Sequence, residues 1–176
     1  MQYLILLKVP SEVAVYVRNL RLEHGFKDRI LGPHITVVPP FVTMIAKEDL
    51  MRQLSSIKYH KFILTIDGFS FFEGRNNVIN LNVVDNTKLT KLYADLKDAL
   101  EMKAEKAYGS PKLFKSEYVP HVMVEKRIPQ AKFRTIQKEF RRMSYDIRWT
   151  IDRFCVFGCE DDGKWEEIRE FVALDA

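Results

Sequence analysis

The sequence predicts an α+β fold in which two antiparallel sheets with flanking helices form two lobes around a central cleft. Strand-like and helix-like segments mix without strict βαβ alternation, and tight turns join many of the strands. A short pattern of proline, histidine, β-branched residue, any residue and valine also occurs twice, at Pro33 and Pro120, about half the chain apart. An internal duplication would leave such a repeat, with each lobe offering one histidine to a shared cleft. No flexible linker divides the halves, so we expect one bilobal domain over residues 1–176.

The first half of the sequence predicts alternating strands and helices. Ser11 can cap a helix whose apolar residues recur at helical spacing until Gly25 ends it. Prolines delimit the following strand, which carries the first histidine. The predicted strands span residues 3–9, the stretch that begins at His34, and residues 59–72, and a second helix spans residues 46–57.

The second half predicts the same mixture. Residues 78–84 alternate as a returning strand, and Asp85 or Asn86 caps a helix that runs to about residue 103. A loop over 107–115 leads to the second motif strand at 118–124. Pro129 stands where a further helix begins. The chain ends in a hairpin of strands 149–157 and 165–172.

Bulk composition indicates an ordinary globular protein. Hydrophobic residues make up 47% of the chain and charged residues 30%, and the net charge is +4. This mildly basic balance suits an anionic ligand, but it falls short of the charge density of a protein that coats duplex nucleic acid.

The cysteines and the hydropathy predict a reducing compartment. Cys155 and Cys159 have a spacing that fits neither a redox CxxC nor a zinc knuckle, so we expect reduced structural thiols and no metal site. Residues 1–9 predict a first strand, because they lack the basic start and the cleavage site of a signal peptide. No apolar run approaches the ~18 residues of a membrane span. We therefore expect a soluble, cytoplasmic protein without a membrane partner. We also expect a monomer that uses no cofactor.

The paired motifs carry the candidate chemistry. Side chains on a strand alternate between faces, so His34 and Thr36 point the same way. Two histidines in one cleft, His34 and His121, can act as acid and base on a phosphoester, since an imidazole pKa of about 6.5 gives both protonation states near neutrality. A neighbouring hydroxyl would hold a phosphoryl oxygen. A single His-x-Thr would more simply be a structural strand histidine, and the repeat favours a functional pair.

These motifs resemble a known family. The runs His34-Ile35-Thr36-Val37 and His121-Val122-Met123-Val124, each preceded by a proline, are similar to the paired motifs of the 2H phosphoesterases. The run Gly32–Phe41 is most similar to the 2′-5′ RNA ligase-like (LigT-like) branch.

The resemblance implies an activity and a set of roles. Its members hydrolyse 2′,3′-cyclic phosphates on RNA ends or nucleotides, cleave 2′-5′ phosphodiesters or perform the reverse ligation, and they use no metal. We therefore expect RNA ends or a nucleotide as the substrate of this chain, with a cyclic oligonucleotide as a further alternative. By this resemblance His34 and His121 form the acid–base pair, Thr36 grips a phosphoryl oxygen, and Lys126 occupies a position that is often basic. Which histidine is the acid is left open.

Met123 departs from the family pattern, because a thioether donates no hydrogen bond to a phosphate. The chain is then a slow enzyme, an enzyme with a compensating donor, or a module that binds RNA or nucleotides without turnover. Lys126 and Tyr118 are the candidate compensating donors.

Further possible substrate contacts come from the loop and the cleft rim. Lys112 and Lys115 flank an aromatic residue as a basic lid would, or lie in a plain solvated loop. Phe41 would stack a base at the cleft rim or belong to the core.

Overall fold

The nine strands of the described chain form a single antiparallel sheet. The structure is a computed structural model that describes residues 1–108, 113–114, 117–160 and 163–175. The elements, in chain order, are β1 (Gln2–Lys8), α1 (Ser11–Glu23), β2 (His34–Thr43), α2 (Lys47–Ser55), β3 (Phe62–Phe72), β4 (Val78–Val83), α3 (Thr87–Leu100), β5 (Ala104–Lys106), β6 (His121–Lys126), α4 (Gln130–Phe140), β7 (Asp146–Ile151), β8 (Arg153–Cys159) and β9 (Trp165–Val172).

The two motif strands are neighbours at the centre of the sheet. The strand order is β7-β3-β4-β6-β2-β1-β8-β9, and β5 pairs with the end of β2. The halves join where β2 meets β6, through the pair Ile35–Val122. The predicted α+β fold is confirmed, and its two sheets are two halves of one sheet that continues across this junction.

The two halves repeat one arrangement around that junction. The first half runs β1-α1-β2-α2, and the second runs β4-α3-β6-α4 with the short β5 inserted before β6. In each half the motif strand pairs antiparallel with the strand that precedes the helix, β1 with β2 and β4 with β6. Helix α1 contacts β6 and helix α3 contacts β2, so each helix packs against the motif strand of the other half.

Most of the buried apolar residues of the sheet and the helices form one large cluster, and a second, smaller cluster consists of Leu4, Leu6 and Cys155. On α1 the buried positions are Val13, Val17, Leu20 and Arg21, and the first three follow the helical spacing that the sequence shows. Asn86 caps α3, because its side-chain oxygen accepts hydrogen bonds from the backbone N–H groups of the second and third helical residues. This cap was one of the two predicted.

Three local predictions are wrong in detail. Ser11 is the first residue of α1, and Pro10 is the N-cap, so no side chain caps this helix. The predicted strand over 149–157 is divided at Asp152 into β7, which pairs with β3, and β8, which pairs with β1 and β9. A continuous β-forming run does not reveal this change of partner. The short strand β5 was not predicted, because three residues carry little periodicity.

The predicted C-terminal hairpin pairs as β8 with β9, although its turn residues 161–162 lie outside the described residues. Within the described ranges, no helix has the length and apolarity that a membrane crossing requires.

Candidate active site

The junction between β2 and β6 brings the two motifs together. Ile35 pairs with Val122, and both side chains are fully buried in the core. The residues on either side of this pair point to the opposite face of the sheet. Because the strands are antiparallel, Thr36 on β2 lies across from His121 on β6. The histidine of each half therefore stands beside the motif strand of the other half.

Met123 is the fourth motif residue beside the Ile35–Val122 pair. It lies across from His34, at the position that corresponds to Thr36 under the approximate twofold arrangement of the two strands. Its side chain lines the same cavity as both histidines. Met123 therefore occupies the position where the family pattern would place a second hydroxyl facing the cleft.

A cavity of about 530 Å³ covers this face of the junction. Both histidines, Thr36 and Met123 line it, together with apolar residues from the loop before β2 and from β2 itself. The charged side chains among its described lining residues are four cationic ones and one carboxylate: Arg21, Arg29, Lys106, Lys126 and Glu117. The cavity is therefore an electropositive space that suits a phosphate.

The two histidine rings are held in the same way. His34 Nδ1 lies 2.8 Å from the carbonyl oxygen of Gly32, and His121 Nδ1 lies 2.9 Å from that of Val119, in each case two residues earlier. A carbonyl oxygen only accepts, so Nδ1 donates in both rings. In its neutral form each ring therefore carries its proton on Nδ1 and keeps the lone pair on Nε2.

His34 is held in its neutral form. Burial lowers the pKa of His34, and the nearby charges of Arg21 and His121 lower it further, against the opposing hydrogen bond to Gly32. A neutral imidazole at physiological pH can accept a proton, so this environment suits His34 as a general base.

The lowered pKa of His34 predicts a pH dependence of stability. Between the folded-state pKa and the ordinary value of about 6.5, the unfolded chain binds a proton at His34 that the folded chain does not, so the free energy of unfolding decreases as the pH falls through this window. Denaturant unfolding at a pH of about 7.5 and again at about 5 should show a smaller acid loss in His34→Gln than in the parent. The exposed His60 gives the control variant His60→Gln. Equal acid losses in the parent and His34→Gln would contradict the prediction.

Arg21 reaches the cavity from beneath β6. The side chain is 2% exposed, and its guanidinium donates to the carbonyl oxygens of Val124 (2.9 Å) and Met123 (3.0 Å) and to Asp28 Oδ1 (3.1 Å). Helix α1 thereby fixes the backbone of the second motif and places a fixed positive charge near His34.

A second group of cations lies at the end of β6. Arg29, in the loop before β2, forms an ion pair with Glu125, and Lys126 lines the cavity beside it. Burial, followed by the charges of Arg29 and Arg127, lowers the pKa of Lys126. Lys126 therefore lines the cavity among other cations, where an anion would be favourable, and its contact with a phosphate stays a prediction.

Tyr118 forms part of the cavity wall. Its hydroxyl donates a hydrogen bond to the carbonyl oxygen of Thr36 at 3.0 Å, and its ring stacks on Tyr93 of α3 with centroids 4.3 Å apart. Burial raises the pKa of Tyr118 well above its usual value, so the phenol keeps this proton. Tyr118 thus positions the first motif strand, and the donor that was predicted to compensate for Met123 is already engaged.

Of the remaining predicted contacts, Phe41 does not line the cavity. Phe41 is fully buried and packs against Tyr3 with ring centroids 5.6 Å apart. It belongs to the core, which is the alternative that its sequence position left open, because its side chain lies on the face of β2 that packs inward. Lys112 and Lys115 lie outside the described residues.

Several lining residues were missed by the sequence analysis. Phe72, at the end of β3, packs edge-on against His121 with centroids 5.7 Å apart and remains 41% exposed. Nothing in its strand pattern distinguishes it from its neighbours. Arg21 did leave a signal, because an arginine on the inward face of an amphipathic helix needs buried acceptors. Arg29 left none.

One cluster of potential metal ligands lies away from the histidines. Cys155, Glu167 and Glu170 approach one another on β8 and β9. The ammonium of Lys8 lies 2.6 Å from Glu167 and 2.8 Å from Glu170, so a cation already bridges both carboxylates. Burial raises the pKa of the Cys155 thiol to about 12, which disfavours the thiolate that would bind a metal.

The fold and the paired motifs define a phosphoesterase-like protein of the LigT type. A sequence model of the 2′-5′ RNA ligase superfamily matches residues 9–163. The chain belongs to this superfamily, and the family predicted from the motifs is confirmed.

Curated relatives extend over nearly the whole chain. A protein of Geobacillus sp. (strain WCH70) is 24% identical over 177 residues, which cover 98% of this chain and 96% of the relative. A protein of Geobacillus kaustophilus (strain HTA426) is 23% identical, with 98% and 96% covered. Both carry names that begin "Putative phosphoesterase".

Solved structures share the fold. LigT of E. coli in complex with 3′-AMP superposes with a TM-score of 0.67 at 13% identity, over 98% of this chain and 97% of that one. A protein of Thermus thermophilus, TT0787, gives a TM-score of 0.66 at 14% identity, over 98% of this chain and 97% of that one.

Proposed function

We propose that this protein is a metal-independent phosphodiesterase that hydrolyses a 2′,3′-cyclic or a 2′-5′ phosphodiester of RNA or of a nucleotide, with His34 and His121 as its acid–base pair. The observation that carries the proposal is the matched anchoring of the two rings. Each Nδ1 donates to a backbone carbonyl, so in each neutral ring Nε2 is the basic nitrogen that can accept a proton, in a cavity with cationic walls. The reverse ligation would use the same groups.

The proposed reaction divides the proton transfers between the rings. His34, which its surroundings keep neutral, takes a proton from the attacking water as the new P–O bond forms. His121 in its protonated form gives a proton to the ribose oxygen as the P–O bond to that oxygen breaks. A protonated His121 also lowers the pKa of His34. The pair therefore favours the state in which His121 is protonated and His34 is neutral.

The charge that develops on the phosphoryl oxygens requires donors and cations. Thr36 lies across from His121 and can donate its hydroxyl proton to a phosphoryl oxygen, and Lys126 offers an ammonium at the end of the strand that carries His121. The cationic lining of the cavity would stabilise the more negative transition state.

Aromatic residues of the cavity suit a nucleoside. Phe72 and Tyr108 both line it and are partly exposed, at 41% and 60%, so their rings are accessible for stacking on a base. Structures of E. coli LigT are described as complexes with 3′-AMP, phosphate, NADP⁺ and ATP. That range of ligands supports a nucleotide as the substrate class here.

A second candidate function is a binding module of the same fold that recognises RNA ends or nucleotides with little turnover. Met123 favours it, because this position of the cavity lacks the hydroxyl that would oppose Thr36. Loss of one such donor can lower a rate about 10²–10³-fold.

Turnover in the presence of a chelator tests the proposal. A 2′,3′-cyclic mononucleotide and a 2′-5′-linked dinucleotide are incubated with the protein in EDTA, and the products are resolved by chromatography. Hydrolysis that persists in EDTA is the expected result. Absence of turnover with retained nucleotide affinity would favour the binding module, and absence of both would contradict the two functions together.

Restoring the second hydroxyl should increase the rate. Asn80 on β4 lies across from Met123, is fully buried, and neither atom of its amide has a hydrogen-bond partner among the described residues. A threonine at position 123 would face both this amide and the cavity. A hydrogen bond with the Asn80 amide could then orient the threonine hydroxyl toward the ligand. We expect Met123→Thr to raise kcat at least about tenfold.

Met123→Val is the matched control, because valine has the shape of threonine without the hydroxyl. Steady-state kinetics of the two variants separate the effect of the hydroxyl from that of the altered volume. Equal rates in both variants would contradict a role for a donor at this position.

A further inference from the structure

We propose that a second cavity, next to the candidate active site, is a phosphate-binding subsite that receives a phosphate of the substrate other than the one that reacts. The role of this subsite in turnover depends on the proposed function, because it presupposes that the substrate reacts between the two histidines. The cavity measures about 450 Å³ and lies between the loop before β2 and the turn that joins β6 to α4.

The two cavities are adjacent and share part of their walls. Arg29 and Lys126 line both of them. In the proposed arrangement, a ligand whose reacting phosphate lies between the histidines extends past these two cations toward the second cavity. Its next phosphate would meet Lys27, Arg127 and Lys132, which line only the second cavity.

The charge of this second cavity is strongly positive. Five cationic residues line it, and its two carboxylates are already paired: Asp28 with Arg18 and Arg21, and Glu125 with Arg29. Across the described ranges, no carboxylate lies within ion-pair distance of the four lysines and arginines that remain, which are Lys27, Lys126, Arg127 and Lys132. An excess of cations without carboxylate partners indicates an anionic ligand from outside.

Lys132 is held in place before any ligand binds. It donates to the carbonyl oxygen of His24 at 2.6 Å, and its ammonium lies 4.4 Å from the centre of the Phe26 ring. An ammonium fixed by a carbonyl and a ring face loses little freedom when it meets a phosphate.

Arg127 is held by the turn itself. Its φ of 59° is the only positive value of a non-glycine residue within the described chain. Such a conformation persists only where the surroundings enforce it, and it concentrates at functional positions. The next residue, Ile128, is fixed through both its N–H and its carbonyl by Asn77, so the turn presents the arginine to the cavity.

A substrate series tests the subsite. It comprises a 2′,3′-cyclic mononucleotide, the same compound with a 5′-phosphate, and a dinucleotide that ends in a 2′,3′-cyclic phosphate. Asparagine tolerates a left-handed conformation, so the test protein is the double variant Arg127→Asn/Lys132→Gln. The exposed pair Lys138→Gln/Arg142→Asn carries the same charge change on and just beyond α4, outside both cavities.

The test variant should lower kcat/KM about tenfold for a substrate with an added phosphate, and less than about twofold for the plain cyclic mononucleotide. A loss confined to the dinucleotide identifies an oligonucleotide strand as the occupant, and a loss confined to the 5′-phosphorylated mononucleotide identifies a terminal phosphate. Equal losses on all three substrates, or losses matched by the control pair, would overturn the subsite.

A binding experiment separates this inference from the proposed function. An RNA oligonucleotide ending in a 3′-phosphate offers no bond that the proposed reaction hydrolyses, and its affinity can be measured by fluorescence anisotropy against salt. The slope of log affinity against log salt should decrease in magnitude by about 0.7 for each phosphate contact removed in the test variant. This result would support the subsite even if no substrate were turned over. An unchanged slope and affinity in the test variant would overturn the subsite. The proposed hydrolysis would not be affected, because the turnover assay tests it separately.

Discussion

Replacing either motif histidine with alanine is expected to lower kcat by about 10²–10⁴-fold, the usual range for a general acid or base. His34 and His121 are anchored alike by Nδ1, and each removes or supplies one proton in the proposed reaction. Because both transfers belong to one displacement, the double variant should be only slightly slower than the slower single variant. Single-turnover kinetics with a 2′,3′-cyclic nucleotide measure all three rates.

The control for this prediction is His60→Ala, since His60 is an exposed histidine just before β3. Thermal unfolding of each variant establishes that the loss of rate is not a loss of fold. If either motif variant kept more than about a tenth of the parent activity, the two-histidine mechanism would be wrong. Rates that multiplied independently in the double variant would show that the rings do not act in one step.

Removing the buried guanidinium of Arg21 should destabilise the fold by about 2–5 kcal/mol. Arg21→Met keeps most of the side-chain length but leaves the carbonyl oxygens of Met123 and Val124 without the donors they have in the parent. Denaturant unfolding of the two proteins measures the difference. The loss of stability should be greatest in the second motif strand. Hydrogen exchange of the backbone amides of β6 should therefore accelerate more than that of β8.

Arg52→Met provides the matched control, because Arg52 is an exposed arginine on α2 whose ion pair with Asp49 lies at the surface. A surface pair of this kind contributes about 0.5 kcal/mol or less. Arg21→Met should also raise the pKa of His34, since a neighbouring positive charge is lost, and the acid limb of kcat/KM should move to higher pH. A cost equal to that of Arg52→Met would contradict the structural role.

The sequence alone determined the fold class and the family, and it located the two candidate histidines. These inferences depend on local patterns: alternation along strands, helical spacing, and a proline–histidine motif that occurs twice. Such signals survive in the primary structure because each is contained within a few residues. Even the departure at Met123 was visible there, since it interrupts the second copy of a short motif.

Only the tertiary structure decided what surrounds those histidines. Arg21 lies about a hundred residues from the carbonyls it binds, and Arg29 and Phe72 come from a loop and a strand end without a motif of their own. Tyr118 could be chosen as a donor from sequence, but the bond that engages its hydroxyl joins it to Thr36, far along the chain. Contacts between distant segments depend on how the sheet pairs and where helices cross it, and no local periodicity encodes that pairing.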